Sequence, residues 1–310
     1  MQVLDAQNFK TRDATSYDAV TEHFDFFTER VSSSLARRMI ALAAIEPNHQ
    51  VLDVATGTGV VAFEAARKID AEGKIRAIDL SEGMLAVASA KAETLGLDEK
   101  INFSKMDAEN LEFEAGTFDR VVSLYALLHF PDPLAALREI HRVMRPGGRL
   151  VVAVGSSPPM FSASGIAHRI KIIPDLVRRF TGKQLVAPGF LVSMVERYLP
   201  EKDAVEESHL ASHSHNRTVG VGDLVRAAEF KVLQTEWQGG QAVLDSPEEF
   251  WKIQATFSSI ARKRLSSAPP KKVELLKEEF FKQCRDVQSR DGNLVYPYAA
   301  FYVVAEKVNS

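Results

Sequence analysis

Apolar positions along the chain follow two rhythms, and the switch between them divides it. From Tyr17 to Ile45 the spacing is helical. Val20, Phe24 and Phe27 share one stripe and Leu35, Met39 and Leu42 a second, and Ser32 to Ser34 offer an N-cap between the two; Pro47 and Asn48 end the run. From Gln50 to Gly155 short apolar runs alternate with helix-length stretches: Val51 to Val54, Ile75 to Ile78, Ile101 to Phe103, Val121 to Leu124 and Leu150 to Val154. Continuous apolar runs of this length, separated by helical patterns, indicate βαβ units and a parallel sheet buried on both faces. The intervening helices are expected near Val60 to Ile69, Glu82 to Leu95 and Pro133 to Met144, with Pro146-Gly147-Gly148 turning the chain into the fifth strand.

After Gly155 the alternation stops. Helices are expected near His168 to Phe180 and Pro188 to Tyr198, then a helix and strand across Val221 to Trp237. Helical patterns at Pro247 to Leu265 and Lys271 to Gln288 follow, and a β-branched and aromatic strand, Leu294 to Val304, closes the series. The expected fold is therefore α/β: a Rossmann-like, seven-stranded, mostly parallel sheet with helices on both faces, plus a helical cap and insertion. Four segments result: an N-terminal helical cap at 1–46, a Rossmann-like core at 47–155, a helical insertion or substrate lid at 156–220, and a C-terminal completion of the core at 221–310. The insertion is too long for an ordinary connection, since structureless loops beyond about 15 residues are uncommon in compact domains.

Composition removes several function classes. A net charge of −3 over 310 residues lacks the basic field that concentrates a polyanion, so nucleic acid is not an expected partner. Cys284 is the only cysteine, which excludes an intrachain disulfide and fits a reducing compartment; the cytoplasm is the expected location. No apolar run approaches the roughly 20 residues that cross a bilayer, so integral membrane association is not expected. His209, His213 and His215 cluster in sequence, but no cysteine pair or nearby carboxylate completes a zinc set, and no metal is assigned. Self-association is left open.

The most specific local pattern is Val51-Leu52-Asp53-Val54-Ala55-Thr56-Gly57-Thr58-Gly59-Val60, a buried strand entering a glycine-rich turn that opens a helix. Glycines at 57 and 59 permit positive φ and remove the β-carbon where a ligand lies against the backbone. Asp79 ends the second strand about 20 residues on, where a carboxylate can accept from the hydroxyls of an adenosine ribose. Ser81 is the expected cap of the helix that follows, which leaves Asp79 for the ligand or for a turn. These features fit a nicotinamide dinucleotide as well as S-adenosylmethionine, so an NAD(P)-dependent oxidoreductase stands as an alternative. Against it, no Tyr-x-x-x-Lys pair and no second phosphate-binding turn is present.

Further motifs follow in order: Asp53-x-x-x-Gly57-x-Gly59, Asp79-Leu80-Ser81-x-x-Met84, Asp107-Ala108-Glu109, Phe118-Asp119-x-Val121-Val122 with His129-Phe130-Pro131-Asp132-Pro133, and Arg145-Pro146-Gly147-Gly148. In this series the chain resembles class I S-adenosylmethionine-dependent methyltransferases, in particular the group that includes the ubiquinone and menaquinone biosynthesis methyltransferases. The likeness is close over Gln50 to Val154 and loose elsewhere. It implies S-adenosyl-L-methionine as cofactor and a small-molecule methyl acceptor. It also implies that Asp53 faces the methionine ammonium, that Leu80 and Met84 pack on the adenine, and that Asp107 accepts from the exocyclic amine while Ala108 leaves room. Ala55, Gly57, Thr58, Gly59, Asp79 and Ser123 complete the expected cofactor-binding set.

The segment Ser123 to His129 follows the fourth strand, at the sheet edge that faces the methyl group in this family. His129 is the candidate general base, since its free pKa lies near working pH; the competing role is to cap the Pro131-Asp132-Pro133 turn. Tyr125 carries the same ambiguity, and Tyr17 is the third catalytic candidate because relatives often have Tyr at the opening of the cap. Aromatics at Tyr17, Phe24, Phe26 and Phe27 either wall an apolar acceptor pocket or simply pack. The favoured reading is in-line methyl transfer to a small aromatic or apolar molecule, beside the oxidoreductase and a non-catalytic protein that binds the same cofactor. A lone cysteine cannot hold arsenite, which disfavours that branch of the family.

Overall fold

The computed structural model describes residues 6–18, 20–157, 163–199 and 220–308. Its chain forms two compact units. One takes the chain through Ser156, the stretch ending at Trp237 and the stretch from Ala300; the other takes the stretch beginning at Ser157 together with Gln238–Ala299.

The strands are β1 (Gln50–Val54), β2 (Lys74–Asp79), β3 (Ile101–Lys105), β4 (Phe118–Leu124), β5 (Met144–Gly155), β6 (Gln184–Val186), β7 (Phe230–Leu244) and β8 (Asn293–Lys307). In the first unit β3, β2, β1, β4 and β5 lie side by side, all parallel. β8 then runs antiparallel to β5, with Leu150 opposite Ala305 and Val152 opposite Val303, and β7 pairs β8. This is the mostly parallel, Rossmann-like sheet that the sequence suggests. β6 is an eighth strand that periodicity did not reveal, because three residues are too few to show a period.

The first unit's helices include α1 (Ala6–Asp18), α2 (Thr21–Ala43), α3 (Val60–Ala66), α4 (Glu82–Leu95) and α5 (Pro133–Val143). On one sheet face Leu52, Val54, Val121 and Val152 are buried in a cluster with Leu137 and Ile140 of α5. Strand alternation sends Val51 and Asp53 to the other face. Helix α2 packs on α3, α4, β4 and β5, burying Phe27, Leu35 and Met39. Helix α5 starts where Asp132 accepts from the N–H groups of Leu134 and Ala135, at 3.1 and 2.9 Å, with Pro133 in the first turn.

The remaining helices among the described residues are α6 (Ala163–Lys171), α7 (Ile173–Phe180), α8 (Gly189–Tyr198), α9 (Val221–Ala227), α10 (Pro247–Phe257), α11 (Ser259–Ser267) and α12 (Pro270–Ser289). Helix α9 belongs to the first unit and packs on α5. In the second unit α8, α10 and α12 pack around Phe190, Phe250 and Phe280, and the Leu191 N–H donates to Gln254 Oε1 at 3.1 Å. Burial there pushes the Cys284 thiol up to about 12, so it is an inert part of the core. β6 runs parallel to the first residues of β8.

Three local expectations need correction. The break at Ser32 to Ser34 does not occur: α2 is continuous, and the Ser33 hydroxyl donates to the Glu29 carbonyl one turn back at 2.5 Å. Burying Ser32 and its neighbours against the sheet keeps the helix going where local preference offered a start. Helix α1 begins well before Tyr17, in a stretch, Ala6–Asp18, that is mostly polar and gives no apolar period to read; Lys10 pairs it with Asp107 and Glu109. The helix expected over Pro247 to Leu265 breaks at Ser258, whose hydroxyl accepts from the Ala261 N–H at 3.2 Å and so caps a second helix.

Ser33 gives a test of the first correction. A true N-cap would lose about 1 kcal/mol on Ser33→Ala. Within a continuous helix the same change removes a back-bonded serine and gains a few tenths of a kcal/mol from helix propensity. Urea unfolding of the variant is expected to show an equal or slightly raised midpoint, and a clear drop contradicts the continuous helix.

Candidate functional site

Sheet order reverses between β1 and β4, and α/β proteins bind ligands in the crevice outside the carboxyl ends of the strands at such a point. In this molecule the backbone is strained there. Ala55, just past β1, has φ 56°, and Tyr125, just past β4, has φ 65°. Neither is glycine, and each such residue carries about 1–2 kcal/mol of strain that the surrounding structure must hold. Gly57 at φ 55° and Gly59 at φ 88° continue the turn at positions where a side chain would be strained. A β-carbon on Gly59 would lie 2.8 Å from the Phe63 ring.

Two carboxylates hold this turn. Asp79 Oδ2 accepts from the Gly57 N–H at 2.8 Å and Oδ1 from the Ser81 N–H at 2.9 Å, while the Thr56 N–H donates to the Ile78 carbonyl at 2.9 Å. The end of β2 is thereby tied to the glycine loop that follows β1. Asp53 is 1% exposed and accepts from the Thr56 hydroxyl at 2.6 Å. Burial pushes its carboxyl up to about 7, opposed by the Thr56 hydroxyl and the Ala62 backbone and reinforced by the charge of Asp79. Burial raises Asp79 as well, with the Ser81, Gly57 and Leu80 backbone working against it.

These features suit a cationic nucleoside. A buried acid with a raised pKa, beside a loop that lacks β-carbons at Gly57 and Gly59, is relieved by a positive ligand group and would repel a diphosphate. The Thr58 hydroxyl points the same way: it is buried and has no hydrogen-bond partner among the described residues, a condition that native proteins seldom tolerate without a ligand or water. The sulfonium and ammonium of S-adenosylmethionine meet the first demand.

The other expected residues fall as follows. Met84 is buried in the first turn of α4, which Ser81 caps by accepting from the Met84 N–H at 3.1 Å; Leu80 is half-buried beside it and Ala108 is buried. Asp107 is engaged by protein: its Oδ1 accepts from the Glu109 N–H at 2.9 Å and its Oδ2 takes the Lys10 ammonium at 2.7 Å. Lys10 also reaches Glu109 at 2.6 Å. The Ser123 hydroxyl donates to the Val54 carbonyl at 3.0 Å, locking β4 to β1. Tyr17 meets Phe24 edge to face with centroids 5.8 Å apart, and a β-carbon at Gly57 would touch the Phe24 ring at 3.5 Å. Tyr125 lies near Gly155, whose added β-carbon would sit 3.9 Å from its ring.

His129 is exposed at the end of a 3-10 turn, Leu127–His129, with its N–H on the Ala126 carbonyl at 2.8 Å. The N-cap of α5 is Asp132. His209, His213 and His215 lie outside the described residues.

Sequence reasoning missed Lys10 and Asp18. Asp18 accepts from the Ser81 hydroxyl at 2.5 Å and the Gly83 N–H at 3.0 Å, fastening α1 to the start of α4. No local pattern announces a partner 63 residues away. Another motif lies at the opposite end of the strands: Arg145 pairs with Asp119 at 2.7 Å, Asp119 also accepts from the Gln50 N–H at 2.8 Å, and a β-carbon at Gly148 would meet the Arg145 carbonyl at 2.8 Å. Those residues serve the fold.

The sheet order and the strained, acid-flanked glycine turn define a class I S-adenosylmethionine-dependent methyltransferase fold. A Bacillus halodurans C-125 protein assigned as a methyltransferase shares it, with TM-score 0.51 and 20% identity over 89% of this chain and 100% of that one. So does the [4+2]-cyclase SpnF, with TM-score 0.50 and 21% identity over 90% and 82%. The fold alone therefore does not fix the reaction. Sequence does: the chain belongs to the ubiE/COQ5 methyltransferase family, whose model matches residues 8–209, and S-adenosylmethionine is its methyl donor. Similar curated proteins include the ubiquinone/menaquinone biosynthesis C-methyltransferases UbiE of Sinorhizobium fredii and Rhizobium johnstonii. They are 29% and 30% identical over 246 residues, 76% of this chain and 87% of each relative. That of Pasteurella multocida is 34% identical over 53% of this chain and 60% of its own. Family membership sets aside the nicotinamide and non-catalytic alternatives. Among the described residues no helix is long and apolar enough to cross a membrane.

Asp53 also carries a stability cost of known sign. Its folded pKa, about 7, lies above the unfolded value near 3.9, so the penalty for ionising it is absent at low pH, grows as pH rises between the two, and is complete above the folded value. Asp53→Asn is expected to stabilise the ligand-free protein by about 2–4 kcal/mol at alkaline pH, with the gain shrinking toward zero as pH falls to about 4. Denaturant melts across that range check it; a gain independent of pH contradicts the buried-acid assignment.

Proposed function

We propose that this methyltransferase acts on a carbon of a small aromatic or apolar acceptor, and that the crevice at the carboxyl ends of β1, β2 and β4 holds both reactants. The observation that carries the reading is the pairing of the buried Asp53 carboxyl with aromatic rings at the same crevice: Phe24 over Gly57, Tyr17 against Phe24, and Tyr125 at Gly155. The acid matches a cationic cofactor and the rings match a flat, apolar acceptor. Carbon as nucleophile is supported by the relatives, whose names specify C-methylation in ubiquinone and menaquinone biosynthesis.

When bound, the cofactor supplies an electrophilic methyl group on a sulfonium. The chain's contribution is alignment and exclusion of water, worth up to about 7–11 kcal/mol in favourable intramolecular cases. In this reading Asp53 holds the ammonium, with Ala55, Thr58 and the two glycines of the loop letting the main chain approach, and the unpartnered Thr58 hydroxyl turns to the ligand. Asp79 accepts from the ribose hydroxyls with the lone pairs left after Gly57 and Ser81. Leu80 and Met84 flank the adenine beside Ala108. Asp107 accepts from the amine in the same way, since a carboxylate has about four acceptor sites and two are in use. Ser123 keeps β4 and β1 in register under the site. The new carbon–carbon bond leaves a surplus proton on the acceptor, which His129 takes, and Tyr125 and Tyr17 orient the ring.

Incubation with methyl-labelled cofactor and a panel of hydroxylated aromatic compounds carrying apolar tails tests the acceptor class. A product one methyl heavier, with the label on a ring carbon by NMR, is expected; label only on oxygen or nitrogen overturns it.

Binding is also expected to be linked to a proton. Below about pH 7 Asp53 must lose its proton before it pairs with the ammonium, so affinity for S-adenosylmethionine falls about tenfold per pH unit on the acidic side, and it falls again above about pH 8, where the ligand's own α-ammonium deprotonates. Calorimetry in buffers of different ionisation enthalpy reads the released proton. In Asp53→Asn the proton release disappears and affinity falls about a hundredfold, the loss expected for a buried hydrogen bond to charge. A pH-independent affinity removes Asp53 from the ammonium site.

A third expectation concerns His129→Ala: a fall in kcat of about a hundredfold, with the acidic limb of the kcat profile abolished and cofactor affinity unchanged. An unaltered turnover rate removes the base role.

A further inference from the structure

Helices α6 and α7 present an apolar ridge to solvent. Ile166, Ile170, Ile173, Leu176 and Val177 are each more than half exposed, and Phe180 is 94% exposed. Spacings of four, three, four and three residues from Ile166 to Phe180 place them on one helical face. The hydrogen bonds Ile172 N–H to His168 carbonyl, 3.0 Å, and Leu176 N–H to Ile172 carbonyl, 2.9 Å, carry the helical path across the junction, so the ridge is continuous. No residue of α7 is buried.

Charge along this segment departs from that of the whole chain. Residues 163–183 contain Arg169, Lys171, Arg178, Arg179 and Lys183 against a single acid, Asp175, in a protein whose net charge is −3. Asp175 lies within reach of the Gln241 side-chain amide at 3.3 Å. Arg178, Arg179 and Lys183 are exposed around the Phe180 end of the ridge.

We infer that α6 and α7 form a docking surface for an anionic lipid bilayer, lying in the plane of the interface with the isoleucine, leucine and phenylalanine side chains among the acyl chains and the Arg178, Arg179 and Lys183 side chains at the headgroups. Large exposed apolar side chains beside Lys and Arg, on helices too short to span, are the features of an interfacial helix. The chemistry favours lipid over a second copy, because pairing this face with itself would oppose two segments that each carry a surplus of four positive charges. Nothing in the inference depends on which acceptor the enzyme methylates.

Sedimentation of the full-length protein with vesicles tests it. Vesicles of phosphatidylcholine with phosphatidylglycerol are expected to carry the protein down at low salt, high salt releases it, and vesicles of phosphatidylcholine alone retain much less. The double charge reversal Arg178→Glu, Arg179→Glu is expected to lower the partition coefficient at least about tenfold, since each basic residue near an anionic surface contributes about a fivefold factor. Leu176→Ser with Phe180→Ser lowers it comparably. Circular dichroism and retained S-adenosylmethionine binding certify that both variants fold. The inference is overturned if the wild-type protein stays in the supernatant with anionic vesicles at low salt, or if both variants sediment as the wild type does. It is equally overturned if sedimentation equilibrium finds a dimer that the Leu176, Phe180 variant abolishes.

Discussion

The hydrogen bond from the Gly57 N–H to the Asp79 carboxylate is the constraint on which the rest of the site depends. It joins the loop after β1 to the end of β2, and in doing so fixes the glycine turn at a positive φ that the backbone would not hold in isolation. With that loop in place the Thr56 hydroxyl reaches Asp53 and the Thr56 N–H reaches β2, so the buried acid and the open turn are two consequences of one arrangement. A protein that only needed a stable sheet would gain by replacing Asp53 with an apolar residue. Retaining an acid against its desolvation makes sense when a cation arrives to pair with it.

Strain is distributed around the same crevice. Ala55 and Tyr125 occupy left-handed backbone at the ends of the two strands where the sheet order reverses, and each is held by a hydrogen-bonded neighbour: Thr56 on β2, and the Tyr125 N–H on the Ala153 carbonyl at 2.7 Å. Such residues persist only where the packing around them is rigid. The packing here comes from Val54, Val121 and Val152 on one face and from α2 on the other. Helix α1 adds polar support, through Lys10 on Asp107 and Glu109 and through Asp18 on the start of α4, beside the Tyr17–Phe24 ring contact.

The two units differ in what they expose. The first buries its apolar residues on both sides of the sheet, as parallel strands require. The second has its own aromatic centre at Phe190, Phe250 and Phe280, yet its α7 keeps every apolar side chain at the surface beside a run of bases. That contrast within one unit is what gives the α6–α7 face functional weight, since scattered exposed apolar residues are ordinary but a contiguous, charge-flanked ridge is not.

The sequence by itself determined the alternation of strands and helices, the parallel sheet and the place of the glycine turn. These follow from continuous apolar runs, a helical period of 3.6 residues and glycine's freedom at positive φ, all of which are local properties. It also exposed the ordered series Asp53, Gly57, Gly59, Asp79 and Asp107. Tertiary structure alone decided what each of those residues does in the protein: Asp79 grips Gly57, Asp107 is shared with Lys10, Ser123 serves the neighbouring strand, and Arg145 with Asp119 braces the far end of the sheet. It alone made α2 continuous through Ser32 to Ser34, set α1 against α4, and left the α6–α7 ridge uncovered. The physical reason is common to all of them. A hydrogen bond or ion pair between residues tens of positions apart has no period and no spacing rule, and exposure is a property of what a segment lies against.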